Sequence, residues 1–213
     1  MTARTDRRDQ PARKWRSSVG ILRVLLYAVG LVPAAATFAM GLANRLGPDP
    51  VNVFERTLGL WAIRFLILSL CVTPLRELTG VSLLRYRRAL GLLAFWYALF
   101  HVTVYVGLDQ GFDGAVLLAD ITRRPFVIMG MAAFLIVTVL AATSNAWSIR
   151  RLGRRWRAVH RMVYLAGLCA AVHFILSFKL LRAEPLLYAV VMALLLLYRL
   201  LPDAIRRRRL AQR

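Results

Sequence analysis

The sequence contains only two cysteines, Cys71 and Cys169, and three histidines among its 213 residues. Both cysteines stand in apolar stretches with no C-x-x-C pair and no partner at metal-ligand spacing, which excludes a disulfide framework and a zinc site and leaves packing as their role. No glycine-rich loop follows a strand-like segment, so the chain carries no nucleotide-binding domain with which to oxidise NADPH. Period-two alternation is missing from the apolar stretches, which excludes a β-barrel. Acidic residues are scarce, 10 Asp and Glu against 30 Lys and Arg. The resulting charge of +20 raises nucleic acid as a partner, because clustered Arg neutralises phosphates. The placement of the charge argues for no nucleic acid.

Apolar residues are abundant: 59% of the chain is hydrophobic, with a mean hydropathy of +0.58. A domain whose surface meets water needs more polar residues than this, so the lipid bilayer is the expected solvent. Apolar segments run over Leu22–Leu42, Thr57–Leu75, Ala89–Leu108, Phe126–Ala146, His160–Phe178 and Leu186–Leu201. Each is close to the ~20 residues that a helix needs to cross the hydrocarbon core. The expected fold is an all-α integral membrane protein, a bundle of six transmembrane helices with no separate soluble domain and no internal repeat. Pro48 and Pro50 mark the first loop between spans, Pro74 ends the second span, Pro125 opens the fourth and Pro185 the sixth.

Charge then orients the bundle. With these spans, and with Arg161 and Arg199 at span ends counted to the side they border, 22 Lys and Arg and 4 Asp and Glu fall toward one side, 6 and 6 toward the other, and Arg23 and Arg64 fall inside spans. That asymmetry is the positive-inside pattern, placing both termini in the cytoplasm. The organisation reads as a basic cytoplasmic arm (1–21), a transmembrane domain (22–201) and a basic cytoplasmic tail (202–213). The run Ala34-Ala35-Ala36 imitates a signal-peptide cleavage region, but an uncleaved first span gives the even number of crossings that the charge count requires.

Ionisable side chains within spans are rare and usually functional. The third and fifth spans both run outward, one from Ala89 to His101 and beyond, the other from His160 to His173 and beyond. At ~1.5 Å per residue the rings of His101 and His173 stand at nearly one height, about 18–20 Å from the cytoplasmic ends. They are placed to clamp one metal. Bis-histidine ligation between helices is how membrane bundles hold b-type haem, and the alternative is hydrogen bonding of each ring to a neighbouring helix.

His160 lies at the inner edge of its span. The third span has no histidine at that depth, and Arg87 stands there instead, about four helical turns before His101 and on the same face. Arg87 is read as an inner-haem ligand, a propionate partner or an inside-facing charge. The segment from His160 to His173 covers about three and a half turns of an ideal helix, which leaves the two rings well over a quarter-turn out of phase, so a bend between them is expected. Arg64 lies well within the second span, where an unpaired cation costs about 2.5–3.5 kcal/mol at the bilayer centre. A haem propionate or the outer headgroups are its expected partners. Trp61, Trp96, Trp147 and Trp156 stand near span ends and read as interface anchors.

Five groups of residues, taken together, carry a family resemblance. Val72-Thr-Pro-Leu-Arg76, Arg88-Ala-Leu-Gly-Leu92 running on to His101, Arg123-Arg-Pro-Phe126, Thr143-Ser-Asn145, and Arg151-Leu-Gly-Arg-Arg-Trp156 with His160-Arg-Met-Val-Tyr164 and His173-Phe174 resemble the MsrQ (YedZ) family in order and spacing. The resemblance runs from the first span to Pro185. It implies a ferric-reductase-like transmembrane domain over 22–201 and a haem-binding membrane subunit of a protein-methionine-sulfoxide reductase system in the bacterial inner membrane. It further implies a periplasmic catalytic partner, MsrP, carrying a molybdopterin cofactor, with electrons from the quinone pool or a cytoplasmic flavin reductase; FMN is also attributed to the family. The family's haem histidines fall on His101, His160 and His173, and Arg87 takes the fourth place of the wider ferric-reductase pattern.

The expected function is therefore electron transfer across the membrane through one or two b haems, as a subunit that serves a separate catalytic protein. A self-contained ferric or cupric reductase would share the haem core without needing the partner. A non-redox transporter or scaffold would be colourless.

Overall fold

The computed structural model describes residues 10–178, 180 and 182–200. All regular structure among them is helical: α1 (Gln10–Leu42), α2 (Pro50–Thr79), a 3₁₀ turn (Leu84–Tyr86), α3 (Arg87–Val104) continued by a π-helical turn (Tyr105–Asp109), α4 (Gly114–Arg123), α5 (Pro125–Ala142), α6 (Ala146–Leu152), α7 (Arg155–Arg161), α8 (Val163–Leu176) and α9 (Ala183–Leu200). Among the described residues six stretches are long and apolar enough to cross a bilayer: Gly20–Leu42, Pro50–Thr79, Leu84–Asp109, Pro125–Ala142, Arg155–Leu176 and Ala183–Leu200. The six-helix expectation holds. Of the basic arm expected over 1–21, the part from Gln10 is helical; its first nine residues and the tail 202–213 lie outside the described residues.

Local chemistry sets the helix ends. Asp49 caps α2, its side chain accepting from the Asn52 amide at 3.2 Å, and Pro50 fills the first helical position, where a missing N–H costs nothing. Gly80, at φ 77°, closes the other end in a left-handed conformation with its amide on the Arg76 carbonyl. Pro125 opens α5 in the same way as Pro50 opens α2. Two expectations need correction. Pro74 does not end its span, since α2 continues to Thr79. The fourth span stops at Ala142 rather than Ala146, because Asn145 turns back to accept from the Ser148 amide at 2.8 Å and starts the short helix α6. Between His160 and His173 the helix is interrupted at Met162, which separates α7 from α8.

The two most extensive helix pairs are α2 with α3 and α5 with α8. The core lies on α2 and α3, where Leu58, Phe65, Leu70, Leu93 and Tyr97 are buried, and it reaches Met192 of α9. Outward faces carry Val24, Val29, Leu135, Leu168, Leu187 and Leu194, each more than half exposed. Such an apolar girdle is expected where lipid replaces water. Small residues allow close approach: a Cβ at Gly30 of α1 would stand 2.7 Å from the Leu93 side chain. Beside it the Tyr97 hydroxyl donates to the Gly30 carbonyl at 2.7 Å and accepts from the Ala34 amide at 3.1 Å. The hydroxyl thus bridges two groups one helical turn apart in α1, next to Pro33, which lacks an N–H.

Candidate functional site

Helices α3 and α8 bring His101 and His173 together, with ring centroids 6.1 Å apart and planes nearly perpendicular, at 77°. Each ring is tied down by one nitrogen. His101 Nδ1 lies 2.9 Å from the Glu55 carbonyl oxygen on α2, and His173 Nδ1 lies 2.7 Å from the Phe126 carbonyl oxygen on α5. A carbonyl oxygen only accepts, so Nδ1 donates in both rings and the lone pair resides on Nε2. No hydrogen bond occupies either Nε2 among the described residues, and the nearest acid is the Glu55 carboxylate, 3.9 Å from His101 Nε2. An imidazole nitrogen sits ~2 Å from a metal it binds and the ring centre about 1 Å behind it, so two rings sharing one ion stand roughly 6 Å apart. The observed separation has that size.

Two glycines make this arrangement possible. A Cβ on Gly59 of α2 would lie 3.1 Å from His101 Nδ1, and one on Gly130 of α5 would lie 2.7 Å from His173 Nδ1. The imidazoles occupy the space that a larger residue would fill. One turn beyond His101, the Tyr105 hydroxyl donates to Asp120 at 2.7 Å, and Arg124 pairs with the same carboxylate at 2.8 Å, so α4 is fastened to the helix that carries His101.

His160 is set differently. It lies in α7 with the Trp156 ring stacked on it at 3.9 Å, and its Nε2 is 3.1 Å from the Thr143 hydroxyl. That hydroxyl has one proton, which it donates to the Val139 carbonyl at 2.7 Å. His160 is therefore the donor, with its proton on Nε2, the opposite tautomer from the other two histidines. Trp156 also donates from Nε1 to the Thr143 carbonyl at 3.0 Å. It belongs to this cluster and not to the set of interface anchors among which the sequence had placed it.

His160 and Arg87 line one cavity of about 440 Å³, together with Ser69, Gly91, Ser144 and Tyr164; Arg88, Arg157 and Arg161 stand around it. The structure thus brings Arg87 and His160 to a common space. Arg64 is elsewhere. Its Nε donates to the Tyr188 hydroxyl at 2.7 Å, its guanidinium lies 4.8 Å from the Trp61 ring and 3.9 Å from Glu184, and it joins α2 to α9.

The model of a ferric reductase like transmembrane component matches residues 58–171, a stretch that includes His101 and His160 and stops two residues before His173. Proteins from Brucella ovis, Brucella canis and Brucella suis, each named protein-methionine-sulfoxide reductase heme-binding subunit MsrQ, are 56% identical to this chain over 189 residues, 89% of this chain and 86% of each relative. The chain belongs to the MsrQ family. As an MsrQ-family protein with six apolar helices, it is a multi-pass membrane protein. Sequence reading of this MsrQ-family chain missed Gly59, Gly130 and Thr143. The glycines carry a faint signal, since glycine inside a helix lacks a propensity reason to be there. Thr143 had none beyond its place in a family motif.

Proposed function

We propose that this protein is a haem-b electron-transfer subunit in which His101 and His173 would hold one haem, and that it delivers electrons to a methionine sulfoxide reductase. The observation that carries the proposal is the imidazole pair itself, with ring centroids 6.1 Å apart, both Nδ1 atoms tied to backbone carbonyls and both Nε2 atoms left without a hydrogen bond among the described residues. Bis-imidazole donors on facing helices are the donor set that a b haem takes, so the residues fit the group. When bound, haem supplies a one-electron Fe(III)/Fe(II) couple. The chain supplies the rest: α2 and α5 fix ring orientation through two backbone carbonyls.

The direction of transfer follows from charge. In this proposal the end carrying Arg85, Arg87, Arg150, Arg151, Arg154 and Arg157 faces the cytoplasm of a bacterial inner membrane. The opposed histidines then lie in the outer half of the bilayer, near a periplasmic molybdopterin partner of the MsrP type. Helix α4, fastened to α3 beside His101, offers that partner a docking face.

On the cytoplasmic side, quinol or a flavin reductase is the donor. The cavity between Arg87 and His160 is where a second haem, a quinol headgroup or the phosphate of FMN would meet this chain. Iron ligation by His160 requires its Nε2 to give up the Thr143 contact. Arg64, held by Tyr188, would reach a propionate only by exchanging that bond.

The test is a reduced-minus-oxidised spectrum with a pyridine haemochrome count on protein purified from haem-replete cells. A b-type spectrum that disappears in His101→Ala and His173→Ala is the expected result; a colourless preparation would favour a transporter or scaffold. The ferric reductase description of the matched domain gives weight to one competitor, a self-contained metal reductase. Rapid reduction of chelated iron, with no dependence on the methionine sulfoxide reductase partner, would favour it.

A further inference from the structure

Each of the two opposed histidines reaches the backbone of its neighbouring helix by the same device. His101 Nδ1 bonds to the carbonyl of residue 55, and the residue four further along is Gly59. His173 Nδ1 bonds to the carbonyl of residue 126, and the residue four further along is Gly130. In an α-helix the carbonyl of residue i already accepts from the amide of residue i+4 and has a second lone pair to offer. Side chains lean toward the helix N-terminus, so the Cβ of residue i+4 overhangs that carbonyl and shields it from a lateral donor. Glycine at i+4 removes that shield. The device occurs once on α2 facing α3 and once on α5 facing α8, and the step from Gly59 to Gly130 nearly equals the step from His101 to His173. No repeat is visible in the sequence around either copy; what recurs is a contact.

From this we infer that Gly59 and Gly130 are positioning residues for the His101 and His173 pair: by baring one helical carbonyl each, they hold both imidazoles in the tautomer that presents Nε2. This rests on the reading of the two histidines as haem ligands. A hydrogen bond from the distal ring nitrogen to a carbonyl fixes ring orientation and raises the donor strength of the ligating nitrogen, and loss of such a partner typically lowers metal affinity 10–100-fold. The two glycines are not equivalent. At Gly130 an added Cβ meets two ring atoms at 2.7 and 2.8 Å, whereas at Gly59 the corresponding distances are 3.1 and 3.2 Å. The first requires the ring to move; the second requires a few tenths of an ångström.

The experiment compares full-length Gly130→Ala, Gly59→Ala and Gly167→Ala in detergent. Gly167 is the packing control, because it lies on α8 with His173 but its Cβ would press on the Met192 thioether, at 2.8 Å. Expected are a ~10-fold fall in haem retention for Gly130→Ala, following the loss of a second-shell partner, and for Gly59→Ala retained haem with altered low-spin electron paramagnetic resonance g-values and a more positive midpoint potential. Gly167→Ala should lower thermal stability alone, leaving g-values and potential unchanged. In haem-free protein, ¹⁵N-imidazole resonances should report a lost Nδ1–H bond in the first two variants only. Should Gly130→Ala fail to fold, the milder Gly59→Ala still decides. The inference is overturned if the Gly59 and Gly130 variants match Gly167→Ala in g-values, potential and imidazole resonances. If instead His101→Ala and His173→Ala retain a normal haem spectrum, the ligand reading itself has failed.

Discussion

The three histidines of this chain sit in two environments that use opposite nitrogens. His101 and His173 donate from Nδ1 to helix carbonyls and leave Nε2 without a hydrogen bond among the described residues, their ring centroids 6.1 Å apart. His160 donates from Nε2 to Thr143, under a stacked tryptophan, beside a cavity ringed by arginines. Burial alone does not separate them. The difference teaches that a histidine's availability as a ligand is set by the acceptor its other nitrogen finds: a bare backbone carbonyl frees Nε2, and a hydroxyl already committed to its own helix captures it.

The sharpest way to break the comparison is to remove the rings. His101→Ala or His173→Ala should abolish the low-spin haem signal of the opposed site entirely, while His160→Ala should leave that signal in place; equal loss in all three variants, read by low-temperature spectra, would erase the distinction. Next in size is Tyr97→Phe, which acts on the helix carrying His101. It deprives the Gly30 carbonyl and Ala34 amide of a buried partner and should cost about 1–3 kcal/mol in stability, measured by thermal unfolding, without changing the His160 surroundings. Thr143→Val sharpens the other side: it removes the acceptor for His160 at a cost of about 1 kcal/mol and frees Nε2, so ligand binding in the cavity should change while the opposed pair keeps its spectrum. The smallest effect belongs to Arg64→Met, which removes a side chain that joins α2 to α9. Losing its bond to Tyr188 should destabilise the bundle by about 0.6 kcal/mol, a typical value for an interhelical hydrogen bond in a membrane, and a larger shift in haem potential than in unfolding temperature would restore Arg64 as a propionate partner.

Much of this was legible in the sequence, and the exceptions have physical reasons. Span number follows from apolar length, and the meeting of His101 with His173 follows from equal depth on two helices running the same way. The out-of-phase spacing of His160 and His173 required a break in the helix, and Met162 supplies it. Pro74 misled because proline at a span boundary is common, yet here α2 runs past it to Thr79. Asn145 closes the polar trio Thr143-Ser-Asn145 at the end of an apolar run that was read through to Ala146, although it caps a new helix. The tautomers were out of reach: they depend on which carbonyl lies bare across a helix interface, and that turns on Gly59 and Gly130, two residues with no polar atom in their side chains.

Tyr97 and α1 bear on the order in which the protein is made. The turn of α1 around Pro33 is completed by a hydroxyl that enters the membrane only with α3, two spans later in the chain. While the chain is being synthesised, α1 waits in the bilayer, or beside the insertion machinery, without this hydroxyl, its Gly30 carbonyl and Ala34 amide left to pair with each other. Ribosome-stalled intermediates ending before Tyr97 should therefore present a first helix more exposed to chaperone crosslinking than those ending after it. The first segment to leave the ribosome reaches its final form only when the third has joined it.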